Sequence, residues 1–215
     1  GFINTSGLFI VLLGPDGSGK STIADGITSS LKKLFPESSY YHGRFGIIPD
    51  LHLLFKRVHR FAGKGSQSDT PTATDFSCTA KPYGFARASV YLLYYLVDYL
   101  CGYFVVARSR ALGSILIADR YFYDYFIQPH FKKVPFWILK LFAQMIPSPD
   151  MIIYLKCSPE EIHRRKPELT PDEIRRQQEI IESAFANLPN FKEVKTDNDY
   201  DAVIFQLSRD LNSFM

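Results

Sequence analysis

Cysteine is scarce in this 215-residue chain: Cys78, Cys101 and Cys157 are too few and too scattered for a disulfide framework or a cysteine-rich zinc site. A reducing compartment, the cytoplasm, is the simpler expectation. Charge of one sign is scarce too. Lys and Arg number 25 against 22 Asp and Glu, a formal net charge of +3, too mild and too dispersed to argue for a nucleic-acid polymer as partner. Internal repeats are missing, and residues 62–82, rich in Gly, Ser, Thr and Pro, are the one low-complexity stretch. Gly1 to Gly7 is polar and lacks a basic start, so no secretory signal is expected there. The chain does not begin with Met, which fits a trimmed chain or a piece of something longer.

What is present is apolar material in quantity, 46% of residues against 22% charged, enough to build a core. It arrives in alternating runs. Leu8 to Leu13, Ser39 to His42, Ser114 to Ala118, Met151 to Leu155 and Lys192 to Lys195 read as strands. Ser21 to Leu34 and Asp199 to Phe214 read as helices, with more helical material between the strands. This alternation predicts an α/β fold, an open and mostly parallel sheet covered by helices on both faces. The chain is expected to be a single domain over residues 1–215. Residues 62–82 are expected to form a mobile loop. Residues 88–107 are long enough for a membrane span. Five tyrosines and a central Asp98 favour instead a buried or interface helix.

Three elements carry chemistry. Gly14-Pro-Asp-Gly-Ser-Gly19-Lys20-Ser21 fits the phosphate-loop pattern at every fixed position. Between a strand and a helix, such glycines let successive amides face a phosphate, and the helix start adds its positive end. Gly14, Gly17, Ser18, Gly19, Lys20, Ser21 and Thr22 are therefore candidate nucleotide ligands, with Lys20 on the phosphates and the Ser21 hydroxyl on Mg²⁺. Asp119 closes the apolar run Ile115-Leu-Ile-Ala, where ligands collect at the carboxyl ends of strands, and is the second metal candidate. Arg120 follows and could clamp an anion. Residues 156–173 hold two successive helix-start signals and the cations Arg164, Arg165 and Lys166. They read as an arginine-bearing lid over a transferring phosphoryl group, or as a plain solvated helix face.

Asp16-Gly-Ser-Gly-Lys-Ser-Thr22, Asp119-Arg-Tyr121 and the arginines after Leu155, in that order, resemble the thymidylate-kinase-like group of P-loop kinases. The resemblance implies a three-layer α/β/α P-loop kinase fold with a five-stranded parallel sheet, ATP and Mg²⁺ as cofactors, and γ-phosphoryl transfer. It implies that Asp16 faces the acceptor, that Asp119 and Arg120 lie between donor and acceptor, and that Thr196 to Asp199 border the adenine. Two positions depart from the family. The helix arginine that grips the acceptor phosphate falls near Asp98, and the serine expected three residues after Tyr121 is Asp124.

A carboxylate repels a phosphate dianion, so the sequence favours a sugar, a glycan or another hydroxyl compound as acceptor. Such an acceptor must lose a proton, and Asp16, Asp98, Asp119 and Asp124 are carboxylates available near the expected centre. Arg44, Asp98, Tyr121 and Asp124 are the substrate candidates; Lys20, Asp16, Asp119, Arg120, Arg164 and Arg165 are the catalytic ones. The alternatives are a thymidylate or other nucleoside monophosphate kinase, and a nucleotide-binding switch that phosphorylates nothing. The partner expected is a small-molecule or glycan acceptor. A homodimer and peripheral membrane contact at the inner face of a membrane stay open, the latter through residues 88–107 and the amphipathic stretch Phe131 to Ile146.

Overall fold

Residues 7–32, 35, 37–49, 82–196 and 200–213 are described in a computed structural model. Strands β1 (Leu8–Leu13), β2 (Ser38–His42), β3 (Ile115–Asp119), β4 (Met151–Lys156) and β5 (Phe191–Lys195) form one parallel sheet in the order β2-β3-β1-β4-β5. The helices are α1 (Lys20–Leu31), α2 (Phe85–Ala111), α3 (Phe136–Met145), α4 (Pro159–Arg165), α5 (Pro171–Phe185) and α6 (Tyr200–Ser213). Short 3₁₀ turns at Phe122–Phe126 and Pro129–Phe131 follow β3. All five strands expected from the sequence are present, within a residue or two of their bounds. Residues 62–81 of the expected mobile loop, Cys78 and Asp199 lie outside the described residues.

Strand periodicity divides the core in two. Phe9, Val11 and Leu13 of β1, with Leu116, Ala118, Ile152 and Tyr154, face α2, α3 and α5. Leu8, Ile10 and Leu12, with Ile115, Ile117, Ile153 and Leu155, face α1 and α6. Both faces of β1 are covered, which is why its run is unbroken by polar residues. Each such side chain contributes roughly 1.5–3 kcal/mol of burial. Chain order reverses around β1, whose neighbours β3 and β4 are reached in opposite directions. The crevice outside their carboxyl ends is where a parallel sheet of this kind takes its ligands.

Helix α2 is long and apolar enough to cross a membrane by length and composition alone. Its inner face is nevertheless packed on the sheet through Tyr91, Leu92, Leu96, Tyr99 and Val106. At Gly102 the packing is so close that a Cβ would come within 2.3 Å of the Phe45 ring. The opposite face, with Val90, Leu93, Val97 and Phe104, is exposed. Residues 156–173, expected as a lid, enter two helices at the expected starts, though Ser158 makes no side-chain cap on α4. Thr170 caps α5 by accepting from the Glu173 amide at 3.3 Å.

Candidate active site

The chain leaves β1 at Leu13 into the glycine-rich loop, and the backbone there requires those glycines. Gly14, Gly17 and Gly19 have φ of 152°, 93° and 93°, values that a side chain disfavours. A Cβ on Gly14 would lie 2.8 Å from the Leu155 carbonyl, and one on Gly19 would lie 2.7 Å from the Tyr200 ring. Helix α1 starts at Lys20 with no side-chain cap, so its first amides are left for a ligand. The Lys20 ammonium donates to the carbonyls of Gly14 at 2.7 Å and Pro15 at 3.0 Å, and lies 3.6 Å from Asp16. Ser18 is fully buried with its Oγ unpartnered. Ser21 and Thr22 are exposed on the first turn of α1.

Asp119 ends β3 in register with Leu12 of β1 and His42 of β2. Its Oδ2 accepts from the Tyr40 hydroxyl at 3.1 Å and lies 3.2 Å from His42 Nδ1. Its Oδ1 is buried without a partner, an expensive state for a carboxylate oxygen. Burial, with Asp119 adding to it, pushes the Tyr40 phenol up to about 12; the same hydroxyl also lies against Ser21. Tyr40 thus joins the two candidate metal ligands. Among the described residues no cluster of three His, Cys, Asp or Glu could hold a metal by itself. A hydroxyl and a single carboxylate suit Mg²⁺, which takes few protein ligands and completes its shell with phosphate and water oxygens. The orphaned Oδ1, the glycine cradle and the uncapped α1 fit ATP and Mg²⁺.

Beside the loop, one guanidinium nitrogen of Arg120 donates to both oxygens of Asp16, at 2.9 and 2.7 Å. Lys166, at the end of α4, comes within 3.6 Å of the same carboxylate. Burial pulls the Asp16 carboxyl upward, but Lys20, Arg120 and Lys166 outweigh it and hold it below the ordinary aspartate range. Arg120 is the one described non-glycine residue with positive φ, 57°, a conformation that costs about 1–3 kcal/mol. Asp124, in the 3₁₀ turn after β3, is 5% exposed, and its Oδ2 has no partner. Burial lifts its carboxyl to about 8; the nearby Lys20 and Arg120 pull it down, and Asp119 and Asp16 push it up. Gly14, Asp16, Arg120, Asp124, Gln128 and Gln177 line one pocket. The phosphate loop thus forms one wall of this candidate acceptor pocket, and the buried Asp119 precedes Arg120 without itself lining the pocket.

Three of the residues expected at the site are placed elsewhere. Asp98 is fully buried, and its carboxylate is spent on the amides of Gly46 at 3.0 Å and Ile48 at 2.8 Å, with Arg44 at 3.7 Å. It clamps the exit of β2 onto α2. Tyr121 is likewise a core residue: fully buried, its hydroxyl donates to the Pro147 carbonyl at 2.7 Å, and its ring meets Phe9 and Tyr99 edge-on. Arg164 points into solvent, its side chain 78% exposed, and pairs with Glu161. Its neighbour Arg165 shares Glu161, at 2.8 Å, but also donates to the Tyr200 hydroxyl at 2.5 Å, over the phosphate loop. Arg44 lies with its guanidinium against the rings of Tyr94 and Tyr95.

Sequence reasoning missed Gln128, Gln177, Tyr40, His42 and Tyr200, and saw in Lys166 only one of a cationic trio. Gln177 is 2% exposed on α5. A buried polar side chain at an inward helix position is a signal, though periodicity can reveal it only once the buried face is known. His42 and Tyr40 carry no motif; only the pairing of β2 with β3 brings them to Asp119.

No family model and no curated protein matches the chain. Solved structures do. The thymidylate kinase of Candida albicans, in a structure described as revealing the origin of broad substrate specificity, is 19% identical, with 97% of this chain and 92% of that chain covered at a TM-score of 0.66. The thymidylate kinase of Ehrlichia chaffeensis is 15% identical over 96% of this chain and 99% of that chain, at a TM-score of 0.59. With its five-stranded parallel sheet and phosphate loop, the chain has the P-loop α/β fold of the thymidylate kinases.

Proposed function

We propose that the chain is a Mg-ATP-dependent phosphotransferase whose acceptor is a nucleoside monophosphate of the thymidylate kind. One observation carries the donor half: a glycine-cradled loop with Lys20 lies beside a strand-end Asp119 whose Oδ1 has no partner. The acceptor half is supported by the likeness to two thymidylate kinases. It also gains from the place of Asp98. The case for a sugar or glycan rested on a carboxylate repelling an acceptor phosphate, but that carboxylate is spent on two amides and Arg44.

ATP supplies the γ-phosphoryl group, and Mg²⁺ neutralises charge on its phosphate oxygens. Lys20, now on the Gly14 and Pro15 carbonyls, would turn to the phosphates, and the loop amides with the start of α1 would hold the rest. Ser21 Oγ and Asp119 Oδ1 would hold the metal. Arg120 and Lys166, both drawn in by Asp16, place positive charge between loop and pocket, where charge shifts during transfer. Arg165 steadies Tyr200 over Gly19. A phosphate acceptor arrives ionised and needs no base.

Asp124 favours a second reading. A buried carboxyl lifted to about 8 in the candidate acceptor pocket is, in its ionised fraction, a strong base for a hydroxyl proton. The O–H proton would pass to Asp124 as the new O–P bond forms and the β–γ bridge breaks.

ADP release from the purified chain with dTMP, other nucleoside monophosphates and free sugars decides between them. The expected result is turnover of a nucleoside monophosphate, lost by a factor of about 10²–10³ in Lys20→Ala and largely kept in Asp124→Asn. Turnover of sugars alone, abolished in Asp124→Asn, would establish the second reading and overturn the first.

A further inference from the structure

Away from the crevice, α2 and α3 expose apolar side chains in register. On α2, Val90, Leu93, Val97 and Phe104 follow one another at intervals of three, four and seven, a single stripe along the helix. On α3, Trp137, Leu141 and Met145 recur every fourth residue. Phe104 is 81% and Trp137 67% exposed. The Tyr103 hydroxyl donates to the Met145 carbonyl at 3.2 Å, which joins α2 to the end of α3, and Arg110 donates to the Ser148 carbonyl just beyond it at 3.2 Å. A contiguous exposed apolar face of this kind marks an interaction site.

The exposed charges on the two helices themselves are of one sign, with Asp150, paired to Arg110 at 2.8 Å, at their edge. Residues 85–111 and 129–145 contain one acid, Asp98, and it is fully buried. Arg108, Lys132, Lys133 and Lys140 are exposed around the stripe. A second copy would bring no exposed acid on α2 or α3 to meet these cations. An anionic lipid surface answers both features, because its phosphates pair with the lysines while the apolar side chains enter the acyl boundary. Trp137 suits that depth, with an apolar ring and one polar N–H.

We propose that the outer face of α2 and α3 docks the protein onto an anionic lipid bilayer, with both helices lying along the surface. Spanning is excluded by the inner face of α2, which the sheet already covers. The docking does not depend on which acceptor the crevice takes.

Trp137 is the chain's single tryptophan, so intrinsic fluorescence reads the docking directly. The full chain is titrated with phosphatidylcholine vesicles, and with vesicles containing roughly one-third phosphatidylglycerol. The anionic vesicles should shift Trp137 emission to the blue and carry the protein upward in flotation, and added salt should weaken both effects. The double variant Leu93→Ser/Phe104→Ser should lose about tenfold or more in partitioning. Lys133→Gln and Lys140→Gln should each lose about fivefold. Unchanged circular dichroism in these exposed-site variants separates lost docking from lost folding. Equal response to both vesicle types, or none to either, overturns the proposal. So does a blue shift that grows with protein concentration in the absence of lipid, together with a doubled sedimenting mass, which would make the face a contact between two copies.

Discussion

Replacing Asp124 by Asn should stabilise the protein, and by an amount that depends on pH. The Asp124 carboxyl is held at about 8 in the folded chain and returns to the ordinary aspartate value near 3.9 when unfolded. Between those two values the folded state keeps a proton that the unfolded state releases. Stability is therefore fully present below about pH 4 and is lost as pH rises toward 8. Each pH unit costs about 1.4 kcal/mol, so the penalty at pH 7 is on the order of 4 kcal/mol. Asn has the same shape and no proton to lose. Its amide group meets the same unpartnered surroundings as Oδ2, which offsets roughly 1–3 kcal/mol. That offset does not vary with pH. The difference between variant and wild type should thus grow steadily from pH 4.5 to 8 and level off above it. Urea unfolding of both proteins at half-unit pH steps measures it. Parallel curves across that range would refute the reasoning, because they would mean that Asp124 is ionised in the fold as it is in water.

Asp98→Asn should be destabilising by about 3–5 kcal/mol, since it strands the Arg44 guanidinium beside an uncharged amide; chemical denaturation reads this, and a loss below about 1 kcal/mol would mean that the pair is not sealed from water. Arg164 and Arg165 should separate in kinetics. Arg165→Ala should lower turnover by about tenfold or more through the freed Tyr200, while Arg164→Ala, with its side chain in solvent, should stay within about twofold. Equal effects would place both side chains, or neither, at the phosphates.

Features encoded in neighbouring residues were legible in the sequence. A strand buried on both faces is a short apolar run, and β1, β3 and β4 announce themselves in this way. The phosphate loop is a contiguous pattern whose glycines answer to backbone angles alone. Contacts across the chain were not legible. Nothing near Asp98 says that the amides of Gly46 and Ile48, some fifty residues earlier, will use up its carboxylate. Tyr121 follows a motif that suggests a site, yet one residue further along the turn its side chain faces the core. Arg164 and Arg165 differ by 100° around α4, and which one meets Tyr200 depends on where α6 lies.

The contact between Tyr200 and Gly19 has a mechanical consequence. The ring at the start of α6 rests on the phosphate loop, while its hydroxyl is held by Arg165 at the end of α4. Three parts of the chain, far apart in sequence, therefore share one hinge pin. A shift of the loop by a few tenths of an ångström would be felt at once by α6 and by the Arg165 side chain, so the three parts would move together.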